Sequence, residues 1–380
     1  MLFAKHEVTL NFTEMKATLG YLCSSTSWGG LEMNHLRNAF WMQNRGHCVL
    51  ILCVEGSPLA QHAVEMMLKV IHIKKHRKYY DFKNARSLTR IIKDKSITHL
   101  IIRSNEDVSI SAAVKSKLGR RLHTSYFMEM QIGVKKTNLL HTLRFRYIDL
   151  WSCPLNWLKE QVEKLTNFHN KLVVIPSGLN LEQFSRLPEK SDSRSELELP
   201  NNVFIFGLIG RFDRQKGQLL LLDAMTKSKH SNYSVVLLGE PTLNEGDIYY
   251  NQMTAIIDEK SLNERVHIRP FRKDAEVFYN AIDWLVMATE AETFGMVTIE
   301  ALACGRPVLG SNAGGTPEIL QNEKGGRLFH TLDSTDLALQ IDHILDNSDH
   351  YNSDELKQMA KAYNHIDVCK KVEKALGLVE

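Results

Sequence analysis

Short, nearly continuous apolar runs recur along this chain, each followed by a stretch with helical periodicity. Cys48–Val54 is one such run and Ala281–Met287 another. Runs of roughly four to eight apolar residues between turn signals suit strands buried on both faces. Strands that alternate with helices call for parallel sheets covered by helices on both sides. In the first half the pattern predicts strands at Leu19–Cys23, Cys48–Val54, Ile97–Arg103, Leu122–Phe127, Ile148–Cys153 and Leu172–Ile175. Helices are expected between them at Leu31–Arg45, Asp107–Leu118, Leu139–Tyr147 and Asn156–Leu165, with Asn156 as an N-cap after Pro154. Residues 1–16 are ambiguous between an extra strand and a poorly ordered arm.

The polar, turn-rich stretch Gln183–Asn202 breaks the alternation and reads as a linker or surface loop. Beyond it, strands are expected near Val203–Gly210, Ser234–Gly239, Val266–Ile268, Asp283–Met287, Pro307–Gly310 and Gly326–Phe329. Helices fall near Lys216–Lys227, Ile248–Glu259, Ala275–Ala281, Val297–Cys304 and Thr316–Gln321, and the tail from Thr335 reads as helices only. With 380 residues the natural expectation is two domains. The fold class is therefore α/β, two doubly wound halves facing across a cleft, with ligands at the carboxyl ends of the strands.

Charge is distributed unevenly. Residues 1–180 carry 26 Lys and Arg against 13 Asp and Glu, leaving 21 against 31 in the remainder. A basic half beside an acidic half suggests an anionic partner for the former, unless the surface is simply solvated. Nucleic acid is not expected, because no recognised binding motif or basic–aromatic interleave occurs. No apolar run approaches membrane-span length, and Lys5, His6, Glu7 and Glu14 interrupt any secretory core. Six scattered cysteines without metal-ligand spacing fit a reduced, cytoplasmic protein.

The segment Glu290–Glu300 follows the run ending at Met287 and reads as strand, short loop and helix. Free backbone N–H groups at such a helix start favour an anion. Glu292 in the loop and Glu300 about one turn (~5.4 Å) inside the helix are each suited to a sugar diol. A diphosphate cradle between two diol acceptors has the shape of a nucleotide sugar. Carboxylates at helix starts are also common for electrostatic reasons alone, so the neighbouring motifs matter. Gly210–Gly217 supplies Arg211 and Lys216, which can converge on a diphosphate. Gly314–Glu318 permits close backbone approach, with Pro317 suited to a first helical turn. Ser24–Leu31 has the look of a small-residue phosphate loop, and Ile175–Asn180 is a turn at the join of the halves.

In this order, the motifs resemble those of retaining glycosyltransferases of family 4, the glycosyl transferases group 1, which have the two-domain GT-B fold. The resemblance rests on Ile175–Asn180, Gly210–Gly217, Glu292–Glu300, Ala301–Val308 and Gly314–Glu318. It implies an acceptor-side Rossmann-like domain over 1–176, a nucleotide-sugar-binding domain over 177–364, and a C-terminal helix over 365–380 packing back toward the first. Glu292 would contact the donor hexose and Glu300 the ribose. Phe294, Gly295, Met296 and Val297 would line the diphosphate at the helix start, with Arg211 and Lys216 neutralising it. Thr289 stands where the family usually has Ser, Phe271 would lie beside the base, and Gly29 and Gly30 would face donor phosphates or acceptor. Many members place a His after the fourth strand of the first half. Here that stretch is Thr124–Met130, so Met128 or Glu129 takes the place and Glu129 is the polar substitute; His123, inside the strand, reads as a packed residue.

The implied activity is transfer of a hexosyl-type group from a nucleoside-diphosphate sugar to an acceptor hydroxyl with retention. The acceptor would be a saccharide or glycolipid, in envelope polysaccharide or lipopolysaccharide synthesis. Arg211 and Lys216 would do the work of a divalent cation, so no metal or other cofactor is expected. The alternatives are a GT-B-fold nucleotide-sugar epimerase and a non-catalytic nucleotide-sugar-binding protein. The basic and apolar stretch Lys135–Arg146 suggests peripheral attachment to an anionic membrane surface at the inner face of the plasma membrane, or a hold on an anionic acceptor.

Overall fold

The computed structural model describes residues 17–185, 187–241, 246–290, 292–347 and 351–379, so the ambiguous first 16 residues lie outside it. Two compact units emerge. One comprises the described parts of Met1–Pro154, Lys159–Gly178 and Val368–Glu380, the other Leu155–Leu158 and Leu179–Asp367.

The first unit holds seven parallel strands: β1 Thr18–Cys23, β2 Cys48–Val54, β3 Lys69–Ile73, β4 His99–Ile102, β5 His123–Phe127, β6 Leu150–Cys153 and β7 Lys171–Val174. Their order is β3-β2-β1-β4-β5-β6-β7. The apolar runs of β1 and β2 are buried on both faces, which explains their continuous rather than alternating hydrophobicity. Strand β3 was not legible in the sequence. It lies at the sheet edge, where Lys69 and His72 face solvent and break the apolar run. The helices on either side of β3 were also missed, although both carry caps. Ser57 accepts from Ala60 N ahead of the helix Pro58–Glu65, and Asp81 accepts from Asn84 N ahead of Phe82–Asp94.

The second unit repeats the design with β8 Phe204–Ile209, β9 Tyr233–Leu238, β10 Val266–Arg269, β11 Trp284–Met287, β12 Val308–Ser311 and β13 Gly326–Phe329, ordered β10-β9-β8-β11-β12-β13. Alternate residues feed two cores. Ile205, Val236, Leu238 and Leu285 point into one, and Phe206, Val235, Leu237 and Val286 into the other. This period of two, buried on both sides, fixes register. The stretch expected to be a linker is instead packed structure. Lys190–Glu196 is a helix, and its Arg194 is buried, donating to the carbonyls of Ala281, Asn201 and Val203 and pairing with Asp283 at 2.9 Å. Its polarity hid it from a reading based on apolar periodicity. No helix among the described residues is long and apolar enough to cross a membrane.

The C-terminal helix His365–Leu376 contributes Val368, Val372 and Leu376 to the first unit's core. Glu373, buried in the same unit, accepts from Arg45 Nε at 2.9 Å and lies 3.0 Å from His47 Nε2. Burial alone would raise the Glu373 carboxyl, but the hydrogen bonds from Arg45 and His47 outweigh it and hold the group below its ordinary value of 4.5. A depressed carboxylate stabilises fully above its unfolded value and loses that contribution as pH falls through the folded one. Glu373→Gln is expected to cost the first unit about 3 kcal/mol. Melting curves of the variant should also show a weaker dependence on pH below 4.5 than those of the parent.

Candidate functional site

In each sheet the strand order reverses once, between β1 and β4 and between β8 and β11. Loops leaving the carboxyl ends of such neighbours diverge to opposite faces, and ligands bind in the opening. In the second unit those loops are 210–217 and 288–295, the two that carry the expected donor residues.

The loop after β8 is held by its own polar groups. Asp213 Oδ1 accepts from Gln215 N at 2.9 Å, and Gln218, fully buried, donates to the Arg211 carbonyl at 2.9 Å. Tyr249 Oη in turn donates to Gln218 Oε1 at 3.1 Å. Arg211 thus has a fixed backbone and a free-standing side chain, 61% exposed and 3.5 Å from Asp213. Lys216 reaches across, its Nζ 3.1 Å from Glu292 Oε2.

The loop after β11 leads into the helix Met296–Ala303. Gly295 precedes it with φ of 71°, and a Cβ there would stand 3.1 Å from Glu292 Cγ. Phe294 is buried, its ring 5.8 Å from that of Tyr363, while its backbone leads directly into the helix start beside Met296 and Val297. The first N–H groups of a helix lack partners within it and carry its positive end. Thr289 is buried; its hydroxyl donates to Met287 Sδ at 3.2 Å, and its carbonyl accepts from Ser311 Oγ at 2.6 Å. Glu300 accepts from Tyr279 Oη at 2.7 Å. Burial, and then the Glu300 carboxylate beside it, hold the Tyr279 phenol well above its ordinary value, so it stays a donor.

A third loop closes on the second. Gly315 N donates to the Glu292 carbonyl at 2.8 Å, and a Cβ on Gly314, whose φ is 62°, would stand 2.2 Å from that same oxygen. Glu318 is occupied by a helix start. It accepts from the backbone N–H groups of Asn156 and Trp157, both at 2.9 Å. Asn156 is therefore the first residue of its helix rather than the cap, and the cap is supplied by Glu318. Phe271 follows β10 and is exposed.

Ser311 and Gln218 were not singled out from the sequence. Each acts on the carbonyl of a residue expected at the donor site, which no motif signals. The structure brings together Lys216, Glu292 and Gly295, with Glu300 one turn along the same helix, while Arg211 stands on the adjoining loop.

Gly29, Gly30 and Glu129 belong to the first unit. Gly29 has extended backbone ahead of the helix Gly30–Asn44, and nothing lies within 4 Å of a Cβ on Gly30. Beside them at the β1–β4 reversal, Ser24 Oγ donates to Asp107 Oδ1 at 2.6 Å and His76 Nε2 lies 2.8 Å from the same oxygen. Burial would lower His76, but Asp107 outweighs it and lifts the imidazole above its ordinary value. Glu129 is ion-paired with Arg103 and accepts from Ser177 Oγ at 2.7 Å. His123 opens β5, at the opposite end of that strand from its carboxyl edge. Among the described residues no cluster of three or more His, Cys, Asp or Glu is arranged to hold a metal ion.

Residues 189–364 match the family model described as Glycosyl transferases group 1. That stretch holds every residue of the second unit expected at a donor site, and the family is the one the motifs resemble. A D-inositol 3-phosphate glycosyltransferase of Mycobacterium sp. (strain KMS) is 29% identical over 191 residues, covering 49% of this chain and 43% of that protein. The protein of the same name from Corynebacterium jeikeium (strain K411) is 29% identical over 173 residues, covering 43% and 41%. The chain thus spans less than half the length of these curated relatives. The crystal structure of Anabaena Alr3699/HepE in complex with UDP superposes with a TM-score of 0.85 over 96% of this chain and 100% of that one, at 19% identity. A glycosyltransferase from Rickettsia africae ESF-5 gives 0.84 over 95% and 98%, at 21%. These likenesses establish the GT-B fold, two Rossmann-like domains built on parallel sheets.

Because the Cβ of an alanine at 314 would press on the Glu292 carbonyl from a left-handed backbone, Gly314→Ala is expected to cost about 2 kcal/mol or more. Calorimetry should show a melting temperature lower by roughly 5 °C, whereas Gly30→Ala, with open space around it, should leave it unchanged.

Proposed function

We propose that this protein is a retaining glycosyltransferase that moves a hexosyl group from a nucleoside-diphosphate sugar to an acceptor hydroxyl. The observation that carries the reading is the 3.1 Å separation of Lys216 Nζ and Glu292 Oε2 beside the start of the helix Met296–Ala303. In such a donor the diphosphate is bonded to the anomeric carbon, so the group that meets the anion and the group that meets the sugar hydroxyls must be neighbours. Lys216, Arg211 and the helix N-terminus face the diphosphate; Glu292 accepts from the hexose hydroxyls, and Glu300 from the ribose. Phe271 flanks the base.

In the reaction the bond between the anomeric carbon and the diphosphate oxygen breaks, and its electron pair leaves with the diphosphate. The acceptor oxygen forms the new bond on the same face, and its proton passes to the departing diphosphate oxygen. Charge that develops on the leaving oxygen is met by fixed cations and backbone dipoles, which need little reorganisation. No metal is required in this scheme. The acceptor is a saccharide or glycolipid, and UDP-sugars are the first donors to try, since UDP is bound in the Anabaena structure.

The experiment is a transfer assay with UDP-, GDP- and ADP-sugars, guided by the donor that raises the melting temperature most. Arg211→Ala and Glu292→Ala are each expected to lower kcat/KM roughly 100-fold, and excess EDTA should leave the rate unchanged. Full transfer by both variants would defeat the assignment. An isomerised sugar released without acceptor would identify an epimerase, and tight donor binding without turnover a binding protein.

A further inference from the structure

A cavity of about 280 Å3 in the first unit takes no part in the site described above. It lies among the loop 77–82, the helix Val108–Leu118 and the helix Leu139–Arg146. Tyr79, Tyr80, Phe82, Leu143 and Tyr147 give it largely aromatic and aliphatic walls. Arg144 lines it too, on the segment whose basic side chains were expected to face outward. It does not face outward: Arg144 is only 4% exposed.

The bonding of Arg144 is incomplete. Nη2 donates to the Asn105 carbonyl at 2.8 Å and to Asn105 Oδ1 at 3.0 Å, and Nη1 donates to Tyr79 Oη at 3.3 Å and lies 3.4 Å from His141 Nδ1. Nε has no hydrogen-bond partner, and among the described residues no carboxylate acts on this guanidinium. Its surroundings add charge of the same sign. Burial, then Arg144 and Lys78, push Lys136 below its ordinary value, and burial, then Arg144, Lys136 and Lys78, do the same to His141. Asp81, which lines the cavity, is engaged by Arg77 N, Asn84 N and Asn84 Nδ2. A buried cation held by neutral acceptors alone, among other cations, is costly unless an anion joins it.

The rim decides what carries that anion. Tyr80 and Phe82 are 71% and 70% exposed, and Leu143, which lines the cavity with them, 46%. Large apolar side chains left in water around a basic pocket mark an amphiphile rather than a soluble ion. We infer that this cavity binds a phosphate monoester borne on a lipid tail, the phosphate against Arg144 and the chain along Tyr80, Phe82 and Leu143. The inference is independent of the proposed donor chemistry.

Calorimetric titration of the full chain with dioctanoyl phosphatidic acid, kept below its micelle concentration, tests it. Dioctanoyl phosphatidylcholine and glycerol 1-phosphate serve as comparisons. The phosphatidic acid is expected to bind at least tenfold more tightly than either. Arg144→Met should weaken it roughly tenfold or more. Tyr80→Asp should weaken it comparably with an unchanged melting temperature, because Tyr80 has a φ of 55° that Asp readily adopts. Should Arg144→Met fail to fold, Tyr80→Asp carries the test. Equal binding of the two lipids, glycerol phosphate binding as well as the phosphatidic acid, wild-type affinity in Tyr80→Asp, or no heat at millimolar lipid would each overturn the proposal.

Discussion

The main-chain carbonyl of Glu292 ties the second unit's site together. Gly315 donates to it, and Gly314 can lie against it only because it lacks a side chain. That oxygen therefore fixes the loop after β11 against the loop after β12 and sets where the Glu292 carboxylate emerges. Lys216 arrives from the loop after β8 to meet that carboxylate. Three loops from three strands thus converge on one residue, at the place where the strand order reverses. The parallel sheet supplies the opening, and backbone contact supplies the precision.

A second layer of polar side chains keeps these loops in place through their backbone. Gln218 holds the Arg211 carbonyl, Ser311 holds the Thr289 carbonyl, and Glu318 receives the N–H groups of Asn156 and Trp157. Each uses a buried or half-buried polar group to satisfy backbone that loops otherwise leave open to water. At the first unit's own reversal Asp107 likewise takes the Ser24 N–H, at 3.4 Å, along with the Ser24 hydroxyl and His76.

Much of this was legible in the sequence. The strands with unbroken apolar runs, such as β2, β9 and β11, announced a doubly wound α/β protein, and Glu292, Lys216 and Gly295 stood out by residue type and spacing. The features that escaped share one property: their partners are distant or their apolar signal is diluted. Strand β3 interleaves Lys69 and His72 with its apolar residues because it sits at an edge. The helix Lys190–Glu196 is polar in composition and earns its place through buried Arg194. Asn156 looked like its own helix cap, but the acceptor comes from Glu318, 162 positions away. Arg144 looked like one more surface cation, and only the packing of Tyr79 and Asn105 around it reveals otherwise.

The contact between Lys216 and Glu292 also bears on how such a site would empty itself. Each of the two is the other's counterion, so the pair brings little net charge to the opening and has little pull on stray inorganic anions. A ligand that offers only an anion would engage Lys216 but leave Glu292 without a partner. One that offers an anion joined to hydroxyls would replace both halves of the contact at once. On the proposed reading, once the sugar has departed, Glu292 would be free to reclaim Lys216, and the spent nucleotide would be displaced by the protein's own internal pair.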